Sequence, residues 1–301
     1  MIKIIEKRKI WYMLSLIVAL ICGLFIYKNG FRLGIDFTGG TLMELKFEKE
    51  IKKESLMNIF QKNNVNNVQI QIGQENRAFI KTANLENEVH KKIIDDIKKE
   101  IGAFSEVRFE NVGPTVGKDT TQKFLFAMIL VSLGIILYLS FSFRKIKRPL
   151  SSWYYGFSAV LALIHDMIIT TGVFGIAAYF MNWYADSFFV TALLTMISFS
   201  VHDTIVIFDR IRENLLLKDE KNFEAIVNFS VNQSIIRSLI TSSIILITLL
   251  SLFVFGGSSL KPFVFTLIVG MISGTYSSIF LASPILVDLG NFVEKRKKNS
   301  K

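Results

Sequence analysis

The sequence predicts an α-helical polytopic membrane protein, with six transmembrane helices and one external α+β domain between the first two. Hydrophobic residues make up 51% of its 301 residues, and the mean hydropathy is +0.42, a value that soluble domains rarely reach. Six apolar runs are each long enough to cross a bilayer, for which about 20 residues are needed. One long polar segment, residues 29–121, interrupts these runs and has the length of a small domain.

The six apolar runs lie near residues 11–28, 122–143, 152–178, 186–208, 233–255 and 262–290. The last run contains Gly270, Gly274 and Pro284, so we expect it to be tilted or kinked. A basic segment precedes the first run, as in a signal peptide, but no small-x-small cleavage site follows it. We therefore interpret the first run as an uncleaved anchor.

Lysine and arginine are concentrated on one side of the predicted membrane. Seventeen of them lie in four short connectors: 1–10, 144–148, 209–221 and 291–301. The two short loops on the other side, 179–185 and 256–261, hold only Lys261. This positive-inside bias predicts that both termini are cytoplasmic, which agrees with an even number of spans.

The chain is accordingly expected to consist of four parts: 1–28, the N-terminus and first helix; 29–121, the external domain; 122–290, helices two to six; and 291–301, a basic tail. We expect the connector 209–232 to be cytoplasmic and helical. The residues from Glu294 to Lys301 are expected to be disordered and to lie near anionic lipid headgroups.

The polar segment has the pattern of a small domain of about 75 residues. Alternating apolar residues predict four strands: 41–47, 68–72, 78–81 and 104–112. Apolar spacing of three and four predicts two helices: 54–63 and 85–101. A turn at 73–76 would join the second and third strands. The resulting order, βαββαβ, is that of a ferredoxin-like sandwich.

Nothing in the sequence predicts an enzyme or a bound cofactor. Residues 112–120, VGPTVGKDT, resemble a phosphate-binding loop, but three residues rather than four separate the glycines, and Asp119 stands where Ser or Thr would hold magnesium. Three scattered histidines and the lone Cys22 predict no metal site and no disulfide. The net charge of +10 lies in connectors rather than in a nucleic-acid-binding patch.

Three ionisable residues, Asp166, Asp203 and Arg237, lie inside the apolar runs. A charge near the bilayer centre costs about 2.5–3.5 kcal/mol on insertion scales, so such residues are usually paired or line a water-filled path. A helical rise of about 1.5 Å per residue places Asp203 and Arg237 at similar depth, where they could pair. Asp166 lies deeper.

Two interpretations of these charges remain open. They could form a buried ion pair that fixes helix packing, or they could line a proton or cation path. Three groups on three helices, with His165 and His202 beside two of them, favour the path. Each histidine taken alone is better interpreted as an interior residue bonded to backbone carbonyls. Hydroxyl groups could bridge the two aspartates: Thr170, Thr171 and Thr204.

Small residues elsewhere are interpreted as architectural. Gly34, Gly39 and Gly40 flank Asp36, and tight turns would explain them. In the last apolar run, the small residues of 270–278 would allow close helix approach.

Several blocks of the sequence together resemble the SecF family, whose members are membrane subunits of the bacterial protein-export machinery. They follow one another along nearly the whole chain: GIDFTGG (34–40), GPTVG (113–117), HDTIVIFDRIREN (202–214), NQSIIRSLITS (232–242) and GTYSSIFLASPIL (274–286). The family motifs supply residues to which the resemblance assigns structural roles: Gly34, Asp36, Gly39, Gly40, Gly113, Pro114 and Gly117.

The resemblance implies much about function. SecF-like proteins pair with SecD, belong to the RND superfamily and associate with the SecYEG channel, and with YajC and YidC, in the bacterial cytoplasmic membrane. They are thought to use a proton gradient, or in some relatives a sodium gradient, to pull emerging unfolded polypeptide outward after ATP-driven translocation by SecA.

The resemblance also implies roles for single residues. It implicates Asp203 and Arg237 in proton transport, and it likens Asp166 to the essential aspartate in the fourth span of SecD. In the family, an asparagine commonly precedes the aspartate that corresponds to Asp203. This sequence has His202 at that position, and the histidine could tune the hydration of Asp203.

We therefore predict an accessory translocation subunit that is driven by an ion gradient. Two alternatives remain: half of an RND-like exporter of small molecules or lipids, and a translocon scaffold that moves no ions. An external domain of about 75 residues offers little room for an exporter's substrate. A scaffold should tolerate Asp203→Asn.

Overall fold

The structure, a computed structural model, describes residues 2–66, 68–73, 76–144, 150–217 and 222–299. It forms two compact units, one of helices (Met1–Arg32 and Phe126–Lys301) and one that contains a sheet (Leu33–Leu125). The elements in chain order are α1 (Arg8–Asn29), α2 (Ile35–Thr38), β1 (Gly40–Phe47), α3 (Lys53–Lys62), β2 (Gln69–Ile72), β3 (Arg77–Thr82), α4 (Asn87–Glu100), β4 (Phe104–Val112), α5 (Pro114–Ser142), α6 (Trp153–Met181), α7 (Ser187–Leu217), α8 (Phe223–Phe255), α9 (Lys261–Ser277) and α10 (Ser283–Asn299). A 3₁₀ turn precedes α9, and a π-helical turn joins α9 to α10.

Six helical stretches in the described residues are long and apolar enough to cross a membrane. They are α1, α5, α6, α7, α8 and the continuous stretch of α9 and α10, and they correspond to the six predicted runs. The predicted fold class, a helical membrane protein with a small α+β domain, is confirmed.

The helices extend beyond the apolar runs at the connectors. Helix α7 continues to Leu217 and α8 begins at Phe223, so together they occupy most of the connector expected at 209–232. The start of α8 is set by Asn222, whose side-chain oxygen accepts hydrogen bonds from two free backbone N–H groups of the first turn. Residues 218–221, and 145–148 of the other predicted connector, lie outside the described residues.

The C-terminal helix α10 continues to Asn299, where the sequence led us to expect a disordered tail from Glu294. Lys295 and Arg296 are good helix formers, and cations near the C-terminal end of a helix interact favourably with its dipole. Residues 300 and 301 of the expected tail lie outside the described residues.

Helices α6, α7 and α9 carry most of the buried residues of the helical unit. Glycines let them approach closely: a Cβ at Gly270 would lie 2.7 Å from the Cβ of Met196, and a Cβ at Gly274 would lie 2.9 Å from the Cα of Ser200. Small residues on α9 are therefore required for its contact with α7.

The expected distortion of the last span is a π-helical turn, Ser278–Ala282, immediately before α10. Pro284 in the first turn of α10 lacks the N–H that would bond the carbonyl one turn earlier, and a π turn is a common response to such an interruption. Ser283 Oγ donates a hydrogen bond to the carbonyl oxygen of Ser278 at 3.1 Å.

The sheet of the second unit has strand order β2-β3-β1-β4, and all neighbouring strands are antiparallel. Alternate residues of β1, including Met43 and Leu45, are fully buried in a core that contains Phe60 of α3 and Ile93 of α4. This is the predicted ferredoxin-like arrangement of βαββαβ. The turn predicted at 73–76 includes residues 74 and 75, which lie outside the described residues; Gly73 N donates to the carbonyl oxygen of Arg77.

The glycine pair at the start of β1 is explained by backbone conformation and close contact. Gly39 and Gly40 have φ of 69° and 118°, which residues with a Cβ rarely adopt. A Cβ at Gly40 would lie 2.5 Å from the carbonyl oxygen of Thr82, and one at Gly39 would lie 2.9 Å from the Cα of Pro114. Gly34 has φ of −70°, which any residue can adopt, and its carbonyl oxygen accepts hydrogen bonds from the backbone N–H groups of Phe37 and Thr38 where the chain turns into α2.

The second motif, GPTVG, packs against the same turn. A Cβ at Gly117 would lie 2.8 Å from the carbonyl oxygen of Phe37. Pro114 is the first residue of α5, a position that suits its fixed φ and missing N–H. Asp36 lies in the short helix α2, and a Cβ at Gly113 would meet nothing within 4 Å.

Candidate functional site

Asp203 lies in the middle of α7 and is 4% exposed. Two serines one turn apart on α8 donate hydrogen bonds to its Oδ2: Ser238 at 2.8 Å and Ser242 at 3.3 Å. Ser242 Oγ also lies 2.7 Å from Thr275 Oγ1 of α9, which in turn lies 2.9 Å from the carbonyl oxygen of Met271. A chain of hydroxyl groups thus leads from the Asp203 carboxylate through α8 to α9.

The ion pair considered between Asp203 and Arg237 is not formed in the part of the chain that the structure describes. Arg237 is exposed on α8, among apolar side chains that include Ile236 and Ile240. Consecutive residues on a helix point about 100° apart, so the geometry that turns Ser238 towards Asp203 turns Arg237 away from it.

Asp166 is fully buried and has more hydrogen-bond partners than Asp203. Ser200 of α7 and Ser277 of α9 each donate to its Oδ2 at 2.6 Å, and Ser273 of α9 donates to Oδ1 at 2.8 Å. His165 Nδ1 lies 3.2 Å from Oδ1. Asp166 therefore holds three helices together through one carboxyl group.

The two histidines of the sequence prediction have different environments. His165 contacts Asp166, and its Nε2 is buried without a hydrogen-bond partner among the described residues. His202 is exposed on α7. The structure places only His165 in contact with a buried carboxylate.

The threonine hydroxyls do not bridge the aspartates. Thr204 Oγ1 lies 3.1 Å from the carbonyl oxygen of Ser200 and 2.9 Å from Ser278 Oγ, whereas the hydroxyl of Thr170 points to the sulfur of Met196. Within the described ranges, no continuous series of hydroxyl groups joins the two aspartates. The site consists of two separate carboxylates, each with its own serines.

Both networks can remain satisfied when a proton is added. Each hydroxyl has one proton to donate and can accept in return. If Asp203 is protonated and donates to Ser242, Ser242 can donate to Thr275, which has Met271 O as its own acceptor. If Asp166 is protonated, Ser277 can redirect its proton to the carbonyl oxygen of Gly274, at 3.2 Å.

Sequence reasoning missed the serines, which it interpreted as packing residues or did not consider. A signal was present: Ser234, Ser238 and Ser242 recur at intervals of four along an otherwise apolar helix, as do Ser273 and Ser277. Such spacing places hydroxyl groups on one face, which in a membrane helix indicates a polar partner.

A metal centre has no support in the described ranges, where no group of three His, Cys, Asp or Glu side chains could hold an ion. The hydrogen-bond partners of Asp203 are hydroxyl groups, and those of Asp166 are hydroxyl groups and the ring of His165, so neither carboxylate contacts a lysine or arginine in the described residues.

Comparison with known proteins identifies the family. Residues 92–292 match the family described as protein export membrane protein SecD/SecF, C-terminal, and residues 24–51 match the SecD/SecF GG motif. The first range contains both aspartates and their serines, and the second contains the glycine pair before β1.

Curated relatives match along nearly the whole chain. Protein translocase subunit SecF of Thermobaculum terrenum is 40% identical over 303 residues, covering 97% of this chain and 95% of that protein. The protein of the same name from Sebaldella termitidis is 35% identical over 308 residues, covering 100% and 96%.

Two solved structures share the fold. The crystal structure of SecDF, a translocon-associated membrane protein, from Thermus thermophilus has a TM-score of 0.81 and 29% identity, and the match covers 95% of this chain. SecDF in its super-membrane-facing form has a TM-score of 0.70 and 26% identity over 99% of this chain. This chain spans only 38% and 40% of those two longer chains.

Six candidate spans and these relatives make the chain a multi-pass membrane protein. Because the SecD/SecF match covers two thirds of it and the SecF relatives align along nearly its full length, the chain belongs to the SecF subunits of the SecD/SecF family of protein export membrane proteins.

Proposed function

We propose that this chain is an accessory, non-enzymatic subunit of the Sec protein translocase, and that with SecD it uses the proton gradient to promote late, ATP-independent export of polypeptides. The observation that carries the proton coupling is Asp203, a buried carboxylate whose partners in the described residues are hydroxyls, with no cation within 4.0 Å. A buried carboxylate without a countercharge is costly, and an ionisable side chain inside a membrane span indicates a functional site.

The hydrogen bonds of Asp203 provide a way to couple its proton to helix movement. With the carboxylate ionised, Ser238 and Ser242 both donate to it and hold α8 against α7. With the carboxyl group protonated, Ser242 accepts from it and donates to Thr275, so the hydroxyl pair between α8 and α9 is strengthened instead. Proton binding and release at Asp203 would thereby shift α8 between two sets of partners.

Arg237 is proposed to act with SecD. It lies on an exposed, otherwise apolar face of α8, and an unpaired cation at membrane depth is costly. A carboxylate of SecD against this face would remove that cost. The SecDF chains of known structure are more than twice as long as the part matched here, which supports a second membrane subunit as the partner.

The remaining features of the function follow from the family and the charge distribution. We propose that the protein lies in the bacterial cytoplasmic membrane with both termini cytoplasmic, as the lysine and arginine bias indicates. The ferredoxin-like domain would then lie on the outer side, where it could meet translocating unfolded polypeptide.

Association with SecYEG, and with YajC and YidC, is part of this proposal. Lipid would surround the apolar helix faces that are exposed in this chain. The ion is proposed to be a proton, with sodium as the alternative.

The proposal is tested by measuring export of a secretory precursor into inverted membrane vesicles. Asp203→Asn keeps the size of the side chain but cannot exchange a proton; Asp209→Asn is the matched control, because Asp209 is on the same helix and 61% exposed. We expect export to fall with Asp203→Asn and to be unchanged with Asp209→Asn, while co-purification with SecD is unchanged in both. Wild-type export with Asp203→Asn would favour a scaffold that moves no ions.

A further inference from the structure

We infer that residues 2–8, the segment that leads into α1, form a strap that fixes the rotation of α8 about its axis and thereby positions Ser238 and Ser242 against Asp203. The effect of the strap on α8 does not depend on the proposed function, whereas its contribution to export rests on it.

The backbone of the strap is bound by two asparagines that lie one turn apart on α8. The N–H of Ile2 donates to Oδ1 of Asn232 at 2.8 Å, and Nδ2 of Asn232 donates to the carbonyl oxygen of Ile2 at 2.9 Å. Oδ1 of Asn228 accepts from the N–H groups of Ile4 and Ile5 at 3.0 and 3.2 Å. Because a side-chain amide both donates and accepts, the two asparagines together fix the position of the strap on α8.

The strap is also held by side chains. Ile4 and Ile5 are 1% and 0% exposed and belong to the same buried cluster as Val227 and Val231 of α8. Burial of two isoleucines is worth several kcal/mol, so the strap is a packed part of the helical unit rather than a loose end (each such side chain contributes about 1.5–3 kcal/mol).

Arg8 fastens the other end of the strap. Its guanidinium lies 2.8 Å from the carboxylate of Glu224 on α8 and 2.8 Å from that of Asp288 on α10. The planar guanidinium has five N–H donors, so one arginine can bridge two carboxylates. The strap therefore runs antiparallel to α8, with Ile2 at Asn232 and Arg8 at Glu224.

The strap and α7 hold α8 from roughly opposite sides. Asn214 of α7 donates to Ser230 Oγ at 2.8 Å and to Gln233 Oε1 at 3.0 Å. Since consecutive helical residues point about 100° apart, Ser230 and Gln233 point about 200° and 140° away from Asn228. A helix that is held on two sides resists rotation about its axis, whereas contact with α7 alone would leave α8 free to turn against it.

The rotation that is set near the start of α8 is carried to Asp203. Glu224 and Ser242 are 18 residues apart on one continuous helix, which is about five turns, so both lie on one line along α8. Arg8 contacts this line at its start, and Asp203 contacts it farther along. Beyond Ser242, no residue of α8 is buried in the part of the chain that the structure describes, so contacts there do not set the rotation.

The experiment is disulfide cross-linking in the full-length chain, co-expressed with SecD and studied in membrane vesicles. Cys22, the one cysteine of the sequence, is first replaced by serine. Thr275→Cys is then combined in turn with Thr241→Cys, Ser242→Cys and Ser243→Cys. Because Ser242 Oγ lies 2.7 Å from Thr275 Oγ1 and its neighbours point about 100° to either side, the disulfide should form preferentially at position 242 when α8 keeps its rotation.

Two substitutions release the strap and a third is the matched control. Asn228→Asp and Asn232→Asp each replace an amide nitrogen that donates to the carbonyl oxygen of Ile2 by an oxygen that repels it. Gln233→Glu makes the same chemical change at the next residue, but Oε1 of Gln233 accepts from α7 and does not contact the strap. We expect both aspartate variants to lose the preference for position 242 and Gln233→Glu to keep it.

A preference that is kept in both aspartate variants would overturn the inference. A strap that only added stability would lower the free energy of unfolding without changing where the disulfide forms. If Asn228→Asp does not fold, Asn232→Asp decides alone, because its partner Ile2 is 61% exposed and little packing is lost with it.

Export of a secretory precursor is measured beside the cross-linking, in chains without the added cysteines. It should fall in each variant that loses the preference and remain unchanged with Gln233→Glu; normal export after loss of the preference would overturn the positioning role. A kept preference together with loss of export in Asp203→Asn would refute the strap and leave the proposed function standing. A lost preference together with normal export in Asp203→Asn would refute the proposed function and leave the effect of the strap on α8 standing.

Discussion

Replacement of Gly274 by alanine should separate α9 from α7 and thereby disturb the Asp166 network. The added Cβ would lie 2.9 Å from both the Cα and the Cβ of Ser200, whereas ordinary contacts begin at 3.4 Å. One helix must therefore move by several tenths of an ångström. Ser200 is one of the two serines that donate to Asp166 at 2.6 Å, so the displacement falls directly on its hydrogen bond.

The expected cost follows from three contributions. Overpacking a close helix contact costs about 1–3 kcal/mol. Weakening of the hydrogen bond from Ser200 to a carboxyl group adds to this, because such bonds contribute about 1.5–3 kcal/mol when the carboxyl group is charged. The higher helix propensity of alanine offsets about 1 kcal/mol. We expect Gly274→Ala to lower the free energy of unfolding by about 1.5–5 kcal/mol in all, with the upper value reached if the hydrogen bond is lost completely.

The assay is reversible unfolding in mixed detergent micelles, followed by circular dichroism. Gly134→Ala on α5 is the matched control, because a Cβ there would meet nothing within 4 Å. Its free energy of unfolding should be unchanged or higher by up to about 1 kcal/mol. If the two variants were equally stable, α9 and α7 would not be in the close contact described, and the positioning of Ser200 against Asp166 would have to be abandoned.

Three further substitutions test other parts of the molecule. In thermal or denaturant unfolding, Gly40→Ala should lower the free energy of unfolding by about 1–3 kcal/mol more than Gly102→Ala does. Both glycines have positive φ, but only a Cβ at Gly40 would clash with a carbonyl oxygen. Equal effects of the two substitutions would contradict this explanation. Ser238→Ala should reduce gradient-driven export about tenfold or more, since it removes a donor to Asp203, and an unchanged export rate would count against the site. Asn222→Ala should lower the free energy of unfolding by about 0.5–2 kcal/mol and speed amide hydrogen exchange in the first turn of α8; unaltered exchange would refute its role as a cap.

The fold was predictable because its signals are long or periodic. Six apolar runs indicate six spans whatever the details of their packing, and the alternation in β1 together with the helical stripe of α4 indicates the βαββαβ order. Helix ends were less predictable. The start of α8 depends on one asparagine side chain. The end of α10 lies among charged residues, which occur in helices and in disordered tails alike, so the sequence does not show where the helix stops.

The candidate site was predictable only in part. The cost of burying charge singled out Asp166 and Asp203 from the sequence. It could not show which residues face them, because depth along a helix is readable from residue number but rotation about the helix axis is set by packing. Arg237 has the right depth and the wrong rotation for Asp203, whereas Ser238, its neighbour in the chain, has the right one.

The most direct test of the central claim uses a translocation intermediate that is trapped in membrane vesicles with ATP removed, after which a proton gradient is imposed. Wild type and Asp209→Asn should complete translocation of the trapped polypeptide, and Asp203→Asn should leave it trapped. Completion at the wild-type rate by Asp203→Asn, with the complex assembled and the gradient intact, would contradict the claim that the buried carboxylate of α7 couples the proton gradient to export.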